Sequence, residues 1–246
     1  MRSRVVLRTR ALISRSLAAA AFIGLFGGLA SCSHTTSPAT SGSVAWTTPG
    51  KGTVYIYQTT GTMTEPAQQT LPVTYDTETV SATGLQYPTV ANVYELTNST
   101  GGTLVGTASN GDALIGDPSS TPVSWMRYPL TGNTAITDPV IDSTSTDGTH
   151  VHQTSTRAAI GTESFTFAGK NYTSYHVRET DHMIQYNAMI SAGDTVSSVI
   201  DIWFVPALGA YSRISQSYNE HAYDPSNGYQ GNVYTFDTRL SSYQPH

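Results

Sequence analysis

Imidazole, carboxylate and hydroxyl groups are the side chains of this 246-residue sequence with the most chemical capacity, and their spacing decides what they could do. One residue separates His150 from His152. On a strand both would project from one face, roughly 7 Å apart at ~3.3 Å per residue. One metal ion could bridge such a pair, because imidazole suits several divalent metals. His176, Glu179, Asp181 and His182 are the residues that could complete the shell. No nearby cysteine, no His-Glu-x-x-His pattern and no fixed carboxylate spacing accompanies them. Polar residues on a solvent face are therefore the expected reading, with no metal and no other cofactor. Serine hydrolysis needs an exposed hydroxyl activated by a base, and no Gly-x-Ser-x-Gly turn is present. Glycoside hydrolysis needs two carboxyls roughly 5–10 Å apart. Glu163, Glu179, Asp181 and Asp201 are available, but nothing in the sequence brings two of them together. Gly24 to Gly28 and Gly101-Gly102 lack the lysine and helix of a phosphate loop. No catalytic residue is assigned.

Cys32, the single cysteine, has a clearer chemistry. Arg2, Arg4, Arg8, Arg10 and Arg15 precede an apolar run from Leu17 to Ala30 that is rich in Ala and Leu. The run is shorter than the roughly 20 residues of a membrane-spanning helix. A basic region, a short apolar core and small residues are the order of a secretory signal. The run ends Leu29-Ala30-Ser31-Cys32, which resembles the lipobox of bacterial lipoproteins. That resemblance implies cleavage before Cys32 and transfer of a diacylglyceryl group to its thiol. Two acyl chains suffice for stable anchoring. Ser33 rather than Asp follows, so the expected address is the cell envelope, at the outer membrane if the host is Gram-negative. The expected organisation is a signal over 1–31, a lipidated and flexible Ser/Thr-rich tether over 32–45, and one all-β domain over 46–246, with a subdivision near 120 as an option.

Residues 32–246 keep all 17 acidic residues and seven of the twelve basic ones, a formal charge of −10. An acidic chain without a basic cluster has no electrostatic footprint for nucleic acid. Charged residues are only 12% of the sequence while tyrosines number 15. β-Branched, aromatic and small hydroxyl residues suit strands and turns, and good helix formers are scarce.

Short stretches of alternating hydrophobicity recur between turn residues, as in a sandwich or barrel. They cover Val54–Tyr57, 71–80, 91–97, 104–105, 113–115 and Trp125–Tyr128. Longer ones follow a polar loop at 142–148, over 150–160, 163–168, 172–180, 182–189, 196–205, 210–218 and 231–240. Gly169-Lys170-Asn171 is read as a hairpin loop, and Pro206 with Gly209 as a turn between two long strands. In the stretch Val199–Val205, Val199, Asp201, Trp203 and Val205 share one face and Ile200, Ile202 and Phe204 the other. Both faces are mostly apolar, so a central strand buried on two sides is expected.

From about Trp125 to Leu240 the chain resembles a loose group of bacterial envelope β-domains. The matching residues are Gly161, Glu163, Phe165 and Phe167, then Gly169, Tyr175 and Val177, then Trp203, Phe204, Pro206, Leu208 and Gly209. Tyr128-Pro129-Leu130-x-Gly132 matches a further element, with its Gly one position early. The resemblance implies a long, strongly curved antiparallel sheet, related in shape to the half-barrels of lipoprotein carriers, and it implies no reaction. Trp125, Tyr175, Trp203 and Phe204 would line the cavity of a wide barrel, or fill the core of a narrow one. The expected function is that of a non-catalytic membrane-anchored lipoprotein that binds a lipid or other apolar or amphiphilic ligand, or scaffolds envelope components. The alternative is a hydrolase acting on envelope polysaccharide or lipid.

Overall fold

The computed structural model describes residues 44–132, 135–187, 192–225 and 228–246. Cys32, the expected signal and the expected tether up to residue 43 lie outside the described residues. Among the described residues thirteen strands form one antiparallel sheet. The N-terminal meander comprises β1 (Val54–Glu65), β2 (Gln69–Tyr87), β3 (Val90–Thr97), β4 (Gly102–Thr107), β5 (Ala113–Asp117) and β6 (Ser124–Tyr128). Two short strands follow, β7 (Ile136–Thr137) and β8 (Ile141–Thr144), both on the outer edge of β9. The C-terminal meander comprises β9 (Thr149–Phe167), β10 (Lys170–Asn187), β11 (Ala192–Val205), β12 (Ala210–Asp224) and β13 (Gly228–Gln244). The first strand pairs with the last, β1 with β13, and this joins the two meanders. The path β6-β5-β4-β3-β2-β1-β13-β12-β11-β10-β9-β7 curls until it is nearly closed into a barrel. The expected all-β, strongly curved antiparallel sheet is what the chain forms.

Several strands are longer than the turn residues in the sequence suggested. Gly161 does not end a strand. β9 absorbs it as a bulge, with Ile160 as the extra residue between the partners of His176 and Val177. Asp181 does not end β10 either, because it points inward and accepts a hydrogen bond from Ser198 Oγ at 3.1 Å. The hairpin loop contracts to Ala168-Gly169, with φ of 50° and 75°, and Lys170 and Asn171 open β10. Positive φ at both positions is what a two-residue turn of the favoured hand requires. The polar loop begins later than expected, because Ile141–Thr144 pairs with β9.

Strict alternation sets the interior. Tyr55, Tyr57 and Thr59 of β1 are buried, as are Val196, Ser198, Ile200, Ile202 and Phe204 of β11. The main core joins Tyr55, Tyr57, Val80, Tyr94, Val105, Tyr128, Val177, Ile202, Phe204 and Ile214 at one end of the barrel. A smaller cluster of Val151, Met183 and Val196 lies further along the long strands.

The Val205–Gly209 corner folds into the end of the main core. Pro206–Leu208 makes one 3-10 turn, and Gly209 ends it in the left-handed conformation at φ 61°. Pro206 has no N–H, so the ladder stops there. Two buried tyrosines grip the corner: Tyr55 OH donates to Leu208 O at 2.7 Å, and Tyr94 OH to Gly209 O at 2.6 Å. The strand leading into it is buried on both faces from Ile202 to Val205, whereas earlier in the expected stretch Val199 and Asp201 are only half-buried. A Cβ on Gly209 would meet Pro49 Cδ and Thr47 O, both at 2.8 Å. Gly209→Ala should therefore cost at least the roughly 1–2 kcal/mol of a left-handed alanine. Chemical denaturation would measure it, and an unchanged midpoint would show that the corner is not fixed.

Candidate functional site

Inside the barrel, under β3–β6, lies a partly open cavity of about 40 Å³. Its wall is made by Trp46, Tyr94, Val105, Ile115, Tyr128, Ile202, Phe204, Tyr211 and Ile214, with Leu96, Thr103, Gly209 and Ala210. Alternation on β11 aims Ile202 and Phe204 at it, and β6 supplies Tyr128, whose ring lies 5.6 Å from that of Phe204. Trp46 closes the wall where the described chain begins. Its Nε1 donates to Gly111 O at 2.9 Å and its ring stands edge-on to Phe204 at 6.3 Å.

Of the four residues expected at a cavity, Phe204 lines this one. Tyr175 faces inward and packs against the core beside it. Trp203 lies on the opposite face of β11, stacked on His176 at 4.3 Å with the Arg213 guanidinium 4.7 Å from its ring. Trp125 also faces outward, edge-on to Tyr87 at 5.4 Å. A strand places neighbours on opposite faces, so Trp203 and Phe204 could not both line one cavity.

Beside the apolar wall the interior holds buried charge. Arg157 of β9 and Glu179 of β10 are register partners, with Nη1 donating to Oε1 at 3.2 Å. Arg157 also bonds Asp138, and its guanidinium lies 5.3 Å from the centre of the Tyr128 ring. Tyr128 OH donates to Glu179 Oε2 at 2.9 Å. Burial, with help from Asp181, pushes the Glu179 carboxyl up to about 7 against the opposing pull of Arg157 and the Tyr128 hydroxyl. On β2, Glu78 is fully buried among tyrosines. Tyr211 OH donates to its Oε1 at 3.0 Å, while Oε2 has no partner among the described residues. Burial raises Glu78 to about 8, although the Tyr211 hydrogen bond pulls the other way.

The remaining candidates are dispersed. His150 and His152 share the outer face of β9, and both face Asp142 of β8, at 3.5 and 3.4 Å. All three are exposed, and among the described residues no group of three or more His, Cys, Asp or Glu side chains is arranged to hold a metal ion. Glu179 and Asp181 lie inside the barrel, while His176 faces the other way, where its Nε2 is 2.7 Å from Asp201 Oδ1. Arg178 makes a two-pronged pair with that same Asp201, at 2.9 and 3.0 Å. Glu163 approaches the other ring nitrogen of His176 at 3.9 Å. The four carboxylates considered for hydrolysis thus divide between the two faces of the sheet.

Arg157, Glu78, Asp138 and Asp142 were not singled out in the sequence. The inward period on β2, Asp76, Glu78, Val80, carries a signal for Glu78 once the strand's facing is fixed. No protein family, curated protein or solved structure matches the chain.

Proposed function

We propose that the protein is a non-catalytic envelope lipoprotein, acylated at Cys32, whose β-barrel takes an apolar or amphiphilic molecule into its interior. The observation that carries this reading is the partly open cavity walled by Trp46, Tyr128, Phe204 and aliphatic side chains. Its position supports the reading further. Trp46 forms part of the wall, and Val44 is only twelve steps along the chain from Cys32. At a maximum of ~3.4 Å per residue, an acylated Cys32 keeps the start of the barrel within roughly 40 Å of the bilayer surface. A lipid leaving the membrane would meet the cavity end of the barrel within that reach.

Native mass spectrometry of the protein purified from its own host tests the proposal. A co-purifying apolar mass that denaturation releases is the expected result. An empty protein that turns over cell-wall fragments would overturn it. The anchor has its own test: Cys32→Ser should abolish incorporation of labelled palmitate and leave the chain uncleaved before residue 32. Label entering the variant at the wild-type level would remove the anchor from the proposal.

A further inference from the structure

The cavity is far smaller than the molecule proposed to occupy it. About 40 Å³ holds a few waters, whereas sites for ligands of drug size have ~300–1,000 Å³. The barrel must therefore spread to admit an alkyl chain, and the sheet offers one place to do so. Consecutive strands along the path are joined by backbone ladders, but among the described residues none joins β6, at one end of the path, to β9 or to the short β7 that edges it at Arg157, at the other. Spreading any other pair would strip buried backbone groups of their partners, each at ~1–3 kcal/mol.

Side chains hold the β6–β9 seam instead. Tyr128 of β6 donates to Glu179 at 2.9 Å and lies against Arg157, which Asp138 and Glu179 fix from the other side. The same Tyr128 ring forms the cavity wall against Phe204. Closing the seam and walling the cavity are thus one residue's work. β5 and β6 are tied to each other by Asp112, which accepts from Arg127 Nε at 2.7 Å and Leu130 N at 3.0 Å. β5 is laddered to β4 over Leu104–Thr107, so a flap of β5 and β6 would hinge about that ladder without parting it.

We infer that β5–β6 is a lateral gate, through which a long-chain amphiphile passes sideways into the interior when Tyr128 leaves Glu179 and Arg157. The inference rests on the proposed function above and adds the route. Asp138 is absent from the cavity wall, so weakening its bond to Arg157 changes the latch and leaves the binding surface intact.

The test is stopped-flow quenching of Trp46 fluorescence by dibromostearate, using the full chain in lipid nanodiscs. A Trp46→Phe control identifies the signal, and a melting curve checks that each variant is folded. Asp138→Asn and Tyr128→Phe should each speed the onset and the release of quenching by about tenfold, the effect of one lost hydrogen bond. For Asp138→Asn the half-saturating concentration should stay near that of the wild type, since both rates rise together. Wild-type rates in both folded variants, with saturable quenching intact, would overturn the gate and leave the apolar interior standing. Absence of Trp46 quenching in every form would overturn the binding reading and the gate with it.

Discussion

Replacing Glu78 by Gln should make the protein more stable at pH 8 and change little at pH 5. Glu78 is fully buried, its Oε1 accepts from Tyr211, and its Oε2 has no partner among the described residues. That environment suits a neutral acid better than a carboxylate. The folded value is about 8, against an ordinary value of 4.5. Because the folded value is the higher one, the fold favours the proton-bound form. The stabilisation is complete below about pH 4.5 and is lost as pH rises through about 8. At 1.36 kcal/mol per unit of difference, the wild type should lose about 3 kcal/mol from this group between pH 5 and pH 8. Gln keeps the shape and cannot ionise, so the variant should lack that part of the slope. Glu179, raised to about 7 by burial, still titrates in the variant and leaves a smaller decline. Urea unfolding at the two pH values measures the difference. Parallel slopes for wild type and variant would show that Glu78 is ionised in the fold, or solvated through a path that the packing does not reveal.

The parts of this fold legible in the sequence were those with a local cause. A period of two separates Trp203 from Phe204 across β11, but with both faces apolar it does not say which one points inward, and both were expected at the cavity. The Pro206–Gly209 corner follows from a missing N–H and a left-handed position, both properties of single residues. The Arg157–Glu179 pair was hidden for a reason of register. Reading breaks at Gly161 and Asp181 cut β9 and β10 into pieces, and a bulge at Ile160 shifts the pairing by one residue. Without an uninterrupted register nothing aligns Arg157 with Glu179, although they stand only 22 positions apart. The contact from Tyr128 to Glu179 is harder still, since it exists only because the sheet curls round until β6 approaches β9. Asp181 illustrates the same limit in reverse. An acidic residue between strand-like stretches reads as a turn, but the interior supplies Ser198 as a donor and keeps it within a strand.

Phe204→Ala should cost about 3–5 kcal/mol, the usual penalty for truncating a buried aromatic ring. Phe204 is 4% exposed and touches Trp46 and Tyr128 across the cavity. For a domain of about 200 residues, that loss lowers the melting temperature by roughly 6–20 °C. The deleted ring adds its volume to a cavity whose wall is largely apolar. Engineered apolar cavities of ~150 Å³ stay dry and bind benzene. Benzene should accordingly raise the melting temperature of Phe204→Ala by several times its effect on the wild type, because a ligand that binds only the folded form stabilises it by mass action. Trp203→Ala is the matched control one residue away. It removes a comparable ring that is 9% exposed, together with the stack on His176 and the contact with Arg213, but from the outer face of the same strand. That variant should also melt early, yet benzene should not rescue it, since the gap left behind opens toward polar and charged side chains. Rescue of Trp203→Ala alone would reverse the facing of β11 and move the cavity to the other side of the sheet. A Phe204→Ala protein that melts with the wild type would show that this ring supports neither the core nor the cavity wall.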